Sequence, residues 1–333
     1  MMKGIVLNLK HPDGIQLTEI KEPVPGPGEV KIKIRAAALN HRDQWCREGK
    51  YPNLKDGTVL GSDGVGEVVA LGNEVDGSWL GKEVIINPAI NWGMDQRVQS
   101  ADFRILGMPD HGTFAEFVCA EVSRVYQKPA HLSLEEAAGL PLAGLTAFRA
   151  VSYHGHIQKG QRVLVTGFGG GVAQLAVQMA LFQNAEVYVS SSQAWKINKA
   201  LEMGAKQGFN YKEPNWKNEA KNQIGGFDLI IDSAMGDTFS DLLEVVKPGG
   251  SIVFYGATLG NPSQINMRKI FWNQIRIQGS TMGSDRDFEK MLEWVSESHA
   301  QPLVDAVFPL EDAVEAFERM KVGRQLGKLV LKI

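Results

Sequence analysis

The stretch Arg162–Ala180, RVLVTGFGGGVAQLAVQMA, limits the possible folds more than any other. Arg162–Thr166 is a short, β-branched apolar run, the mark of a strand buried on both faces of a parallel sheet. Gly167, Gly169, Gly170 and Gly171 then permit a tight turn that a Cβ would obstruct. From Val172 onward, Leu175, Ala176 and Met179 recur with the spacing of a buried helix face. A strand, a glycine turn and a helix start leave backbone N–H groups at the positive end of a helix, which suits a pyrophosphate. The dinucleotide pattern G-x-G-x-x-G is met in part. Counted from Gly170, Phe168 stands where the first glycine belongs and Ala173 where the last does. Read alone, the run is equally a tight turn in an α/β sheet with no ligand.

Further units repeat the arrangement. Glu186–Val189, Leu229–Asp232, Ser251–Tyr255 and Ile275–Gly279 read as strands, and Ala194–Met203 as a helix closed by Gly204. Strands alternating with helices predict an α/β fold with a doubly wound parallel sheet, which takes ligands at the carboxyl ends of its strands. Residues 1–128 read differently. Met2–Leu7, Val30–Ala37, Val65–Leu71, Lys82–Ile86, Phe114–Ala120 and Val122–Gln127 are short strand-like runs broken by turn residues, so this part is β-rich. Pro88–Gly112 shows little periodicity and reads as a long excursion. Ser133-Leu134-Glu135-Glu136 carries the cap and acidic first turn of a helix, and Leu140–Val151 is an apolar helix leading into the nucleotide half. Near the end, Ala313, Ala316, Phe317 and Met320 form a helix stripe, and Lys328–Ile333 is a closing strand. The outer domain is thus discontinuous and wraps a contiguous inner one.

Composition narrows the function. The chain carries 35 basic and 38 acidic residues, a net charge of −3 that argues against nucleic acid or another polyanion as partner. Two cysteines, Cys46 and Cys119, build neither a disulfide framework nor a four-cysteine zinc site. The first residues, MMKGIVLNLK, are too short and polar for a signal peptide, and no apolar run reaches membrane length. A cytoplasmic enzyme with no membrane partner is the expectation.

Six separated pieces carry a resemblance to the medium-chain dehydrogenase/reductase superfamily over essentially the whole chain. They are the Pro-Gly-Pro-Gly-Glu-Val loop at 25–30, Ala36–Asn40, the Leu60-Gly61-Ser62-Asp63-Gly64-x-Gly66 run, Leu140-Pro141-Leu142-Ala143-Gly144-Leu145-Thr146-Ala147, the glycine turn, and Gly327-Lys328-Leu329-Val330. The resemblance implies a GroES-like β-rich domain at 1–128, completed by 272–333, and a Rossmann domain at 129–271, with chemistry in the cleft between them. It also implies ligand positions for a catalytic zinc, which fall here at Asn40, Ser62 and Leu142. Amide, hydroxyl and alkyl groups do not make a soft zinc site, so no metal is expected. His41 beside Asn40 reads as a surface residue. The pattern is similar to the zinc-free quinone-oxidoreductase (zeta-crystallin-like) branch, which reduces quinones and activated alkenes with NADPH.

NAD-selective Rossmann domains place an acid about twenty residues beyond the glycines. Here that position is Ser191, within a hydroxyl run that can donate to a 2′-phosphate. Lys196 and Tyr211 match phosphate-contacting residues of the resembled branch, although Lys196 read alone is a solvated helix charge. NADPH is therefore the expected cofactor, held by Gly169, Gly170, Gly171, Val172, Ser191, Lys196 and Tyr211. Thr146, Tyr255, Gly256 and Ala257 are expected at the nicotinamide; read alone, Thr146 is a helix hydroxyl bonding its own turn and Gly256 a turn glycine. For the acceptor, a quinone or α,β-unsaturated carbonyl, the candidate pocket residues are Asn40, Asp43, Tyr51 and Ser62, with roles unassigned. Tyr51 either gives a proton or merely packs, and Asp63 reads as a buried anchor. Two alternatives stay open: a zinc-type alcohol dehydrogenase and a non-catalytic NADPH-binding protein. A homodimer through the edge strand Ile275–Gly279 is expected from the resemblance and from the exposed edge.

Overall fold

A computed structural model describes residues Met1–Ile333, and its chain divides into two compact units, Met1–Ala143 with Ser284–Ile333, and Gly144–Gly283. The sequence boundaries at 129 and 272 differ from these for identifiable reasons. The helix Leu134–Ala138, begun by the reciprocal Ser133–Glu136 cap, packs on the strands Glu29–Ala38 and Asp63–Leu71 and so stays with the first unit. The strand Arg276–Gly279 pairs in parallel with Val246–Phe254 and so belongs to the second.

The second unit is a six-stranded parallel sheet. Its spatial order is Gln207–Asn210, Glu186–Ser191, Arg162–Val165, Phe227–Asp232, Val246–Phe254, Arg276–Gly279. This is the doubly wound order 3-2-1-4-5-6, and the chain reverses direction of travel between Arg162–Val165 and Phe227–Asp232. Val163, Leu164, Val165, Ile230 and Ile231 are fully buried, as strands covered on both faces require. The observed elements differ from the predicted ones in places. Tyr255 lies just past its strand, which ends at Phe254, and Gln207–Asn210 is a strand that the sequence pattern did not reveal. The predicted helix at Leu140–Val151 is Pro141–Phe148, continued by a π-helical Arg149–His154.

The first unit is built on a seven-stranded sheet whose long strand Glu29–Ala38 pairs with Lys328–Lys332, Asp63–Leu71 and Phe117–Glu121. Leu7, Ile15, Ile32, Ile34, Phe114 and Phe317 fill its core. The excursion after Pro88 contains a small hairpin, Ala89–Ile90 with Arg104–Ile105. Its backbone reaches deep into the unit because glycines let it: a Cβ on Gly112 would stand 2.0 Å from the Gly61 carbonyl oxygen. Among the elements of this unit that escaped the sequence reading are the strands Ile15–Ile20 and Val304–Pro309 and the helices His41–Arg47 and Asp285–Ser298. No helix of the chain is long and apolar enough to cross a membrane.

Candidate functional site

In the second unit the glycine turn joins Arg162–Val165 to the helix Gly171–Phe182. Phe168 departs from the dinucleotide pattern because its ring is buried, while the positive φ angles fall on Gly167 (60°) and Gly169 (142°). Gly170 is the N-cap in extended conformation and no side chain caps the helix, so Gly171 and Val172 begin it with backbone groups facing outward from the turn. Gly169 must lack a side chain for a further reason. A Cβ there would lie 2.8 Å from both Cδ and Nζ of Lys196, whose chain lies over the turn and is 6% exposed.

Ser191 ends its strand beside Asn210, so Tyr211 follows at the end of the neighbouring strand. The Ser191 hydroxyl accepts the Gln193 N–H at 3.4 Å, at the start of the helix Ala194–Glu202 that carries Lys196. The fold therefore brings Gly169, Ser191, Lys196 and Tyr211 to one corner of the sheet, with Tyr211 41% exposed. At the reversal point, Asp232 is a buried residue that the sequence reading overlooked. Its carboxylate accepts from the Thr166 hydroxyl and from the Ala234 and Met235 N–H groups, fixing both strand ends. Gly256 packs against Ser233, where a Cβ would meet the carbonyl oxygen at 3.1 Å, and Ala257 is exposed. Removal of the Tyr255 phenol from water pushes its pKa up, opposed by a hydrogen bond with Ser233. Thr146 is buried, its hydroxyl 3.9 Å from the Met282 sulfur.

In the first unit, Asn40, Asp43 and Ser62 come together in a buried polar cluster. Asn40 caps the helix His41–Arg47, and Asp43 at its third position accepts the Asn40 N–H at 2.8 Å. The Asn-x-x-Asp spacing was the available signal for this helix. Asp43 is fully buried, and that burial pushes its carboxyl up to about 6 against the opposing pull of Arg42. The Asn40 amide oxygen accepts from Lys328 Nζ at 2.7 Å, and its nitrogen donates to Asp63 at 3.0 Å. Asp63 also accepts from Lys328 Nζ at 2.9 Å and from the Leu142 N–H at 2.7 Å. The expected anchor role of Asp63 matches this geometry, since it ties four segments together.

The Ser62 hydroxyl donates to the Leu106 carbonyl at 2.8 Å and accepts from Arg42 Nη1 at 2.6 Å. The same guanidinium bonds the carbonyls of Leu106 and Met108, both in the excursion. Tyr51 is half-buried, with Arg42 Cζ 4.8 Å from its ring centroid. Asn40 and Ser62 thus spend their polar atoms on internal bonds and Asp43 one of its two carboxylate oxygens, Oδ1 being without a hydrogen bond; the Tyr51 hydroxyl meets only Arg42 Nε at 3.4 Å. A cavity of about 460 Å³ elsewhere in this unit, beside Met2, Val59 and Arg124, contains none of the four. Arg42 and Lys328 are the residues that sequence reasoning missed, because their partners are remote in the chain.

Sheet order, open turn and strand-end polar groups define a protein built on a doubly wound sheet of the nucleotide-binding type. Residues 26–130 match the alcohol dehydrogenase GroES-like domain family and residues 171–297 the zinc-binding dehydrogenase family. The zinc-type alcohol dehydrogenase-like protein YogA of Leptosphaeria maculans is 36% identical, over 96% of this chain and 94% of its own. Acryloyl-coenzyme A reductase of Sulfurisphaera tokodaii is 31% identical over 99% of this chain and all of its own. A crystal structure titled as an NAD-dependent alcohol dehydrogenase superposes with a TM-score of 0.95 at 35% identity, both chains covered in full. The chain belongs to the medium-chain dehydrogenase/reductase superfamily.

The family description names zinc, and the residues here do not fit it. The positions that the sequence resemblance assigns to zinc ligands, Asn40, Ser62 and Leu142, hold an amide bonded to an ammonium, a hydroxyl bonded to a guanidinium, and an alkyl side chain. A divalent cation there would meet two buried positive charges and no thiolate or imidazole. No group of three or more His, Cys, Asp or Glu side chains gathers anywhere to hold a metal.

Proposed function

We propose that this chain is an NADPH-dependent reductase of quinones or α,β-unsaturated carbonyls that works without a metal. The observation that carries the reading is the pair of buried cations, Arg42 and Lys328, bonded to the side chains at the zinc-ligand positions. Without a Lewis acid, a simple ketone has no strong partner for its developing oxyanion. A conjugated acceptor needs less help, because the charge spreads over an enolate or hydroquinone. The resemblance to a reductase named for acryloyl-coenzyme A, itself an α,β-unsaturated thioester, points the same way.

The glycine turn, with Gly169, Gly170, Gly171 and Val172, would hold the pyrophosphate. Ser191, Lys196 and Tyr211 would hold the 2′-phosphate, and Thr146, Tyr255, Gly256 and Ala257 would face the nicotinamide. The bound dihydronicotinamide supplies hydride. The chain supplies a proton, and Tyr51 is the donor, since Asn40 and Ser62 are committed to the cluster and Asp43 is fully buried, whereas Tyr51 is only half-buried. NADPH consumption with a panel of quinones and enones, in the presence of chelator, tests the reading. Turnover should persist under chelator. Loss under chelator with recovery on adding zinc would restore the alcohol dehydrogenase alternative. Tight NADPH binding with no turnover on any acceptor would favour a non-catalytic role.

A homodimer belongs to the same proposal. Arg276–Gly279 is an edge strand, and Met267, Phe271 and Trp272 beside it are exposed, the last by 78%. A second copy pairing along this edge would cover them. Sedimentation of the wild type against Trp272→Glu would show a dimer converted to monomer.

A further inference from the structure

We propose that Arg42 is a positioning residue for proton transfer, a fixed cation that aims the Tyr51 hydroxyl and stabilises the phenolate left behind. The inference rests on the reading of Tyr51 as donor.

The guanidinium is built in from several directions. It is 6% exposed, and Nη1 donates to the Ser62 hydroxyl (2.6 Å) and the Leu106 carbonyl (2.9 Å). Nη2 donates to the Met108 carbonyl at 3.3 Å. Those partners are uncharged, so they orient the group without cancelling its charge. The adjacent carboxylate, Asp43, has one oxygen on the Asn40 N–H and the other 3.7 Å from Nη1, a long buried ion pair that offsets part of the charge without a hydrogen bond. What remains points at Tyr51: Nε lies 3.4 Å from the phenol oxygen, and Cζ stands 4.8 Å from the ring centroid. A contact of that length is weak for a neutral phenol. It strengthens when the oxygen becomes an anion, because bonds with an ionised partner are shorter and about twice as strong. An interaction that grows along the reaction coordinate is the kind that raises a rate.

A bound dihydronicotinamide nucleotide would supply hydride, two electrons and one hydrogen, to the β-carbon of a conjugated acceptor and leave an enolate. The Tyr51 O–H bond would then break, its proton bonding the α-carbon and its electron pair staying on the phenol oxygen beside Nε. A solvent proton would restore Tyr51, so that the acceptor gains two electrons and two hydrogens in all.

The test is a double-mutant cycle on the full chain, reading kcat, KM and NADPH affinity with one enone. Tyr51→Phe should lower kcat by about a hundred-fold, the usual weight of a positioned acid. Arg42→Met should lower kcat about ten-fold or more, and Arg42→Lys, which keeps the charge, should recover part of it. NADPH affinity should be unmoved in all three. The decisive variant is Arg42→Met with Tyr51→Phe, which should be no slower than Tyr51→Phe alone, because Arg42 acts through the hydroxyl that is already gone. Losses that multiply, or a lysine variant as slow as the methionine one, would overturn the proposal. If Arg42→Met does not fold, the same cycle run with Arg42→Lys decides between the two outcomes. A Tyr51→Phe enzyme with full kcat would remove the donor reading itself, and is told apart from failure at Arg42 by that single variant.

Discussion

Lys328 and Lys196 are both nearly sealed from solvent, at 3% and 6% exposure, and they are used in opposite ways. Lys328 reaches Asn40 and Asp63 and closes a cluster whose acceptors are inside the protein. Lys196 lies along an open glycine turn, its ammonium 5.4 Å from the half-exposed Trp195 ring, at strand ends that present Ser191 and Tyr211. A buried charge tied to an internal carboxylate holds a fold together; Lys196, beside uncapped backbone and a hydroxyl run, is proposed here to face a phosphate. Stability should therefore answer to Lys328, and nucleotide choice to Lys196.

The largest expected effect is at the closed end of this contrast. Asp63→Ala strands a buried ammonium and should cost about 3–5 kcal/mol in chemical denaturation, whereas Asp63→Leu with Lys328→Met should recover much of it. A double variant as unstable as the single one would show that the ion pair is not what Asp63 contributes.

Asp43 gives a pH signature in the same cluster. Its folded carboxyl, pushed up to about 6 from the ordinary 3.8 by burial, favours the native state while protonated. That contribution is full below about pH 4 and lost as pH rises through about 6. Asp43→Asn keeps an oxygen for the Asn40 N–H, so its stability relative to wild type should rise by about 2–3 kcal/mol between about pH 4 and about pH 8. A difference that stays flat with pH would mean that Asp43 does not titrate in the fold.

At the open end, Lys196→Ala should weaken NADPH binding about ten- to a hundred-fold and leave NADH nearly unchanged, as loss of one charged hydrogen bond predicts. Equal losses for the two nucleotides, measured by fluorescence titration, would dispose of the 2′-phosphate assignment. The smallest effect is expected from Gly169→Ala, whose Cβ would push the Lys196 chain off the turn. NADPH affinity should fall about five-fold, or about 1 kcal/mol; an unchanged affinity would show that Lys196 reaches the phosphate by another path.

The same contrast explains what could be read from the sequence. Arg162–Ala180 was legible because strand, turn and helix are consecutive, and the parallel sheet followed from the repetition of that unit. Ser191 was reachable as a candidate by counting from the glycines, whereas Lys196 and Tyr211 came only from the family resemblance. The helix His41–Arg47 was not, because its caps Asn40 and Asp43 sit in a polar run without an apolar stripe. The strand Val304–Pro309 was hidden by half-buried positions that break any alternation. Arg42 and Lys328 were invisible as site residues for a different reason. Apart from Tyr51 and Asp43, the Arg42 partners Ser62, Leu106 and Met108 lie 20 to 66 positions away and those of Lys328 265 to 288, and only the folded chain brings the Lys328 ammonium to Asn40 or an excursion carbonyl to Arg42.

The placing of Lys328–Lys332 beside Glu29–Ala38 has a consequence for biosynthesis. A ribosome delivers Lys328, the partner of Asn40 and Asp63, only after Gly144–Gly283 has been made, so the unit that begins at Met1 must wait, unfinished, while Gly144–Gly283 emerges and folds ahead of it. Nascent chains stalled before residue 328 should accordingly show protease protection over 144–283 and cleavage within 1–143; early protection of both segments would contradict that order.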